Sequence, residues 1–179
     1  MLKQLKQRFY IMTRINTINP SDLTDQWLIA EWRELPRIVN ELVKHPHRFK
    51  QKDIPANYTL NAGHVKFFRD KLLYLAKRHR LLKRELKARG IKHDKNVKVE
   101  LYKLDKSLKS LCCNDWTPTP TDHALLIERL QERFNLRKKD YTLTTVIKYP
   151  DIKNSVFKNV IADDHNWQIY STRFKKYLK

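Results

Sequence analysis

One stretch of this chain constrains the fold more than any other. In SDLTDQWLIAEWRELPRIVNELVKH, residues 21–45, Leu28, Trp32, Leu35, Val39 and Leu42 recur at alternating spacings of four and three. That rhythm puts one apolar stripe along a helix, which must be buried against something else. Ser21, Asp22 and Thr24 are N-cap candidates behind Pro20. Pro36 lies inside the pattern, removes one backbone donor and is expected to kink the helix. Glu34 and Arg37, three apart, lie on a face other than the apolar stripe.

Two more stretches repeat the rhythm. From about residue 62 to 89, Val65, Phe68, Leu72, Leu75, His79, Leu82 and Leu86 form a stripe, with His79 read as a core or edge histidine. Lys87 and Arg89 fill the last turn, and Gly90 is placed to cap it. A third helix is expected over about 122–134, with Thr121 as its cap, Leu126, Leu130 and Phe134 inward, and Arg129 and Arg133 on a different face. Three such helices predict a mainly α, compact single domain. YTLTTVIKYP at 141–150 has strand character, but a lone strand is not expected to stand by itself. NWQIYSTRFKKYLK at 166–179 interleaves aromatics with cations, which suits base stacking or a helix docked on the core.

Charge narrows the partner. The 179 residues carry a net +19, which points to a polyanion, with nucleic acid first and a membrane surface or ribosomal RNA behind it. Only 2 glycines are present, and neither a GxGxxG nor a P-loop pattern occurs. Cys112 and Cys113 provide no disulfide framework, so they read as packing or surface thiols in a reducing compartment. His45 and His47 in the basic loop KHPHRFKQKDIPANY lack a third ligand and read as loop residues facing solvent or phosphate.

Specific residues sharpen this. MTRIN at 12–16, LTDQWLIAEWRELPR at 23–37 and AGHVKFFRDKLLYLAKR at 62–78 resemble the pyrimidine-dimer DNA glycosylase and AP-lyase family. The resemblance runs through about residue 92 and resumes, more weakly, from Trp116 to Arg133. It implies a DNA repair enzyme that acts on UV-induced cyclobutane pyrimidine dimers and needs no metal or organic cofactor. The amine of an N-terminal threonine attacks the sugar C1′, forms an imine, and β-elimination nicks the strand. Here that residue is Thr13, behind Met12. An α-amine of pKa about 7.7–8.0 is neutral in roughly one molecule in ten at pH 7, against a few in ten thousand for lysine. The terminal amine is therefore the better nucleophile.

By the same resemblance Glu34 is the catalytic carboxylate, and Glu31 matches a family position without that role. Arg14, Gln26, Arg33, Arg37 and Arg129 match DNA-contacting positions, while Arg133 replaces a lysine with its charge kept. Trp27 stands where a histidine is common. The implied partner is double-stranded DNA holding pyrimidine dimers, met as a monomer without membrane association. The expected location is the cytoplasm, at the nucleoid, or the nucleus in a eukaryotic setting. The expected organisation is a leader, 1–11; a glycosylase-like domain, 12–134; and an extension packed on it, 135–179. The functional chain is expected to start at Met12 and be trimmed to Thr13. The alternative is a damaged-DNA binding module whose leader blocks the Thr13 amine. A structural RNA-associated protein would account for the charge but not for Glu34 beside Arg37.

Overall fold

The structure is a computed structural model and describes residues 15–94, 96–137, 141–147 and 155–179. It is mainly α, as the apolar periodicity predicts. The helices are α1 (Asp25–Lys44), α2 (Ala62–Phe67), α3 (Leu72–Ala88), α4 (Lys106–Cys112), α5 (Pro120–Leu136) and α6 (Asp164–Ser171), with short 3₁₀ turns between and after them. Strands β1 (Tyr141–Ile147) and β2 (Ser155–Ile161) pair antiparallel, with Tyr141 opposite Ile161 and Thr144 opposite Lys158. No described helix is long and apolar enough to cross a membrane.

Residues cluster into two compact units, each assembled from separated stretches. The first contains Ile15, 33–79 and 97–116; the second contains 16–32, 80–96 and 117–179. The helices α1 and α3 each run from one unit into the other.

Helix α1 forms where its stripe requires. Leu28, Trp32, Leu35, Val39 and Leu42 are all buried, and Thr24 caps the helix by accepting the Trp27 N–H at 3.4 Å. Ser21 and Asp22 instead lie in a preceding 3₁₀ turn capped by Asn19. The helix continues through Pro36, which is itself buried.

The expected second helix is two. The chain breaks helical pairing at 68–71, where the Asp70 carbonyl accepts both the Asn114 N–H and its side-chain amide. Those bonds bring in a distant partner, which local periodicity does not reveal. Helix α3 ends at Gly90 in the left-handed region (φ 69°), with its N–H on the Lys87 carbonyl and the Ile91 N–H on Leu86, so the glycine cap is found where the sequence places it. Helix α5 starts earlier than expected. Its cap is Thr119, not Thr121, in a reciprocal capping box with Asp122.

The strand-like segment at 141–147 is a strand because it has a partner in β2 and a second attachment to α1. In the second unit, Trp27 packs on Tyr141 at 4.8 Å between centroids and edge-on to Trp167 at 6.1 Å, while Phe134 stacks on Trp167 at 4.3 Å. The final stretch is therefore a docked helix, with Trp167, Tyr170 and Phe174 buried.

Candidate active site

In the first unit, α1 presents Arg33 and Arg37 on one exposed face, four residues apart. Glu34 is half-buried beside them, while Leu35, Ile38 and Val39 turn inward. Thr13 and Arg14 lie outside the described residues, but the backbone that follows them is fixed. The Ile15 N–H donates to His64 Nε2 at 2.9 Å, and the Ile15 carbonyl accepts from the Tyr58 hydroxyl at 3.4 Å. His64 Nδ1 in turn donates to the Thr59 carbonyl at 2.9 Å. One nitrogen donating and the other accepting defines a neutral imidazole with its proton on Nδ1.

The close approach of α2, which carries this histidine, to Thr59 depends on Gly63. A Cβ there would lie 2.6 Å from Thr59 Cγ2, so any larger residue has to displace the Thr59 side chain. Asn61 precedes the helix at φ 62° and ψ −135°, a positive-φ conformation outside the left-handed helical region and strained for any residue but glycine. Tyr58 and Phe68 close edge-on over the His64 ring at 5.5 and 5.2 Å.

In the second unit Glu31 is fully buried. Its two oxygens accept the Asn16 backbone N–H at 3.1 Å and the Asn16 side-chain amide at 2.8 Å. A buried carboxylate holding the backbone is a structural anchor. The two glutamates of α1 thus separate by surroundings: Glu31 is enclosed and bonded to the chain, and Glu34 reaches solvent.

The other expected contacts of this unit are placed as follows. Gln26 uses its amide on the hairpin: Oε1 accepts the Thr142 N–H at 2.9 Å and Nε2 donates to the Thr142 hydroxyl at 3.1 Å. Trp27 is buried among aromatics. Arg129 and Arg133 are both half-buried on α5, and Arg129 is paired with Glu132 at 3.1 Å. Thr17 and His123 Nδ1 share a hydrogen bond of 2.8 Å.

Three anchors escape sequence reasoning: His64, Glu31 in its backbone-holding role, and Arg89. The Arg89 guanidinium is buried and all five of its donors are used. They reach the carbonyls of Pro20, Ser21 and Leu23, Asp25 Oδ1 at 2.9 Å and Glu85 Oε1 at 2.8 Å. In sequence Arg89 reads only as a cation ending a helix. The one available signal is Glu85 at the i,i+4 spacing.

Helix α1 thus carries Glu34 between two exposed arginines, on a chain with a net charge of +19. Residues 12–99 match the family described as Pyrimidine dimer DNA glycosylase. Over those residues the chain belongs to that family, which makes it a DNA repair glycosylase by class. The match begins at Met12, directly before Thr13.

Proposed function

We propose that the chain cuts the glycosidic bond of a cyclobutane pyrimidine dimer in duplex DNA and then nicks the strand as an AP lyase. Thr13 supplies the nucleophile through its amine, once Met12 is removed, and attacks C1′. The base leaves with its bonding electrons and takes one proton of the amine; the nitrogen lone pair then breaks the C1′–O4′ bond, the sugar ring opens, and O4′ takes a proton as the imine forms. Glu34 takes the C2′ proton, and the electrons of that C–H bond expel the 3′ phosphate. Arg14, Arg33, Arg37, Arg129 and Arg133 hold the phosphates, and Gln26 works through the hairpin it fastens. The protein works as a monomer on double-stranded DNA.

The observation that carries this reading is the different fate of the two α1 glutamates. Glu31 is enclosed on the Asn16 backbone, which leaves Glu34, between Arg33 and Arg37, as the carboxylate that an incoming sugar reaches. The clamp of His64 on Ile15 supports it further. It fixes the chain two residues after Thr13, as a nucleophile that depends on position requires.

Borohydride trapping on a dimer-containing duplex tests it. A protein starting at Thr13 is expected to be fixed covalently to DNA. One that keeps residues 1–11, with verified mass, should lose at least about a hundredfold. Glu34→Gln is expected to abolish nicking while binding to the damaged duplex stays within about threefold. Equal trapping with the leader still attached would remove Thr13 as nucleophile and favour another amine.

A further inference from the structure

The C-terminal half of α3 carries a basic surface that includes none of the expected site residues. Arg80, Lys83, Arg84 and Lys87 fall at i, i+3, i+4 and i+7, within about 100° of arc at 3.6 residues per turn. All four are exposed, and the buried Leu82 and Leu86 lie on the far side of the helix.

On a helix surface, carboxylates three or four residues away stabilise such cations, and like charges at those spacings destabilise the helix. This stripe has no carboxylate at those spacings. Glu85, the only acid between Arg80 and Lys87, turns to Arg89 and binds its Nε at 2.8 Å. Elsewhere in the same unit, cations do find acids: Arg129 pairs with Glu132 and Lys176 with Asp22. Among the described residues, none of the four stripe cations is in an ion pair. Helix-dipole stabilisation accounts for a cation in the last turn, such as Lys87, but not for Arg80 a full two turns earlier. Four uncompensated like charges repel each other, so the arrangement is disfavoured unless a polyanion covers it.

We propose that this stripe is a second DNA-contact surface, which binds the phosphate backbone of undamaged duplex and reads no sequence. Its length supports one occupant. Arg80 to Lys87 spans about 10 Å at 1.5 Å per residue, close to three nucleotides of one strand at 3.4 Å each. The net charge of +19 argues against a second copy of this chain as the occupant. Such a surface holds the protein on normal DNA during a search, when no lesion fills the catalytic residues.

The inference rests on the reading of the chain as acting on duplex DNA, but its test needs no imine chemistry. Binding of an undamaged duplex of about 20 base pairs is measured by fluorescence anisotropy from 50 to 200 mM salt. The variant combines Arg80→Gln, Lys83→Gln, Arg84→Gln and Lys87→Gln, because glutamine keeps helix propensity near that of the cations. The control removes as much charge elsewhere through Lys103→Gln, Lys106→Gln, Lys109→Gln and Lys158→Gln, all exposed positions. At about 0.9 per phosphate contact, the stripe variant should lower the slope of log affinity against log salt by about 3–4. The loss of affinity between 50 and 200 mM then shrinks by about a hundredfold relative to the parent protein.

The control should change the slope by less than one, and circular dichroism should confirm the fold of both. Equal slope changes in the two variants would overturn the assignment in favour of diffuse charge. So would an unchanged slope in the stripe variant while borohydride trapping on damaged DNA persists. Loss of binding to phosphatidylserine vesicles with the DNA slope intact would reassign the stripe to a membrane. Failed trapping with a reduced slope leaves the stripe in place and removes only the lyase reading.

Discussion

Asp25 shows how much of this protein depends on single residues whose role is set by distant partners. It accepts from Arg89, from the Thr144 N–H at 3.1 Å, and from the hydroxyls of Thr142 and Thr144 at 2.7 and 2.9 Å. Removing one partner from a buried ion pair strands the other charge, at about 3–5 kcal/mol. Asp25→Ala should therefore lower the urea midpoint without changing the slope, and Arg89→Met should cost about as much. Thr144→Val removes a single hydroxyl donor and should cost about 1–2 kcal/mol. Cys112 offers a pH test. Burial, together with the neighbouring Cys113, pushes its thiol from 9.0 up to about 12. A thiol whose pKa is raised in the folded state contributes stability fully below about pH 9. That contribution is lost as the pH climbs toward 12, because the unfolded chain ionises first. Iodoacetamide at pH 8 should thus leave Cys112 unmodified in the native protein and label it rapidly in denaturant, as mass spectrometry of peptides would show.

At the scale of elements, the ends of the helices are the sensitive points. Gly90 closes α3 at φ 69°, and no atom lies within 4 Å of the place a Cβ would occupy, so the penalty of a substitution is conformational and not steric. Gly90→Ala should cost about 1 kcal/mol by thermal denaturation. Thr119→Ala, which opens the capping box of α5, should cost a similar amount of about 1 kcal/mol. The hairpin shows a different device. Its β1 strand sends the N–H groups of Thr142 and Thr144 to Gln26 and Asp25. An edge that would otherwise be open to another strand is thereby closed by side chains. Gln26→Ala should speed amide exchange at Thr142 by about fivefold or more, since one hydrogen bond of about 1 kcal/mol or more then protects it no longer. Unchanged exchange would mean that Asp25 and β2 suffice to hold the strand.

For the molecule as a whole, the segment after residue 134 is integral to the second unit. Trp167 stacks on Phe134, Tyr141 lies against Trp27, and the Tyr170 hydroxyl donates to the Asp22 carbonyl. Burial and the nearby Asp22 carboxylate hold that phenol well above its ordinary range, so it stays protonated and keeps donating. Deleting residues 137–179 would expose Trp27 and Phe134, both now buried, and is expected to give a protein without a cooperative thermal transition. A truncated chain that melts as sharply as the whole one would make the segment an appendage.

The sequence by itself determined the apolar faces of the three long helices and the family. Apolar residues at three- and four-residue spacings force a buried face whatever the partner, and Leu28 through Leu42, Leu72 through Leu86 and Leu126 through Phe134 are buried accordingly. Gly90 is legible for the same reason, since a left-handed cap is a property of one residue. The motif around Glu34 carries the family in local order. Only the tertiary structure decided which of two neighbouring glutamates is an anchor, because Glu31 and Glu34 differ in their surroundings and not in their chemistry. It also decided that 141–147 is a strand, since its partner and its attachment to Asp25 and Gln26 are remote in sequence. Helix signals are local and can be read from spacing. Strand pairing, buried ion pairs and backbone clamps such as that of His64 on Ile15 depend on residues tens of positions apart, which a single sequence does not connect.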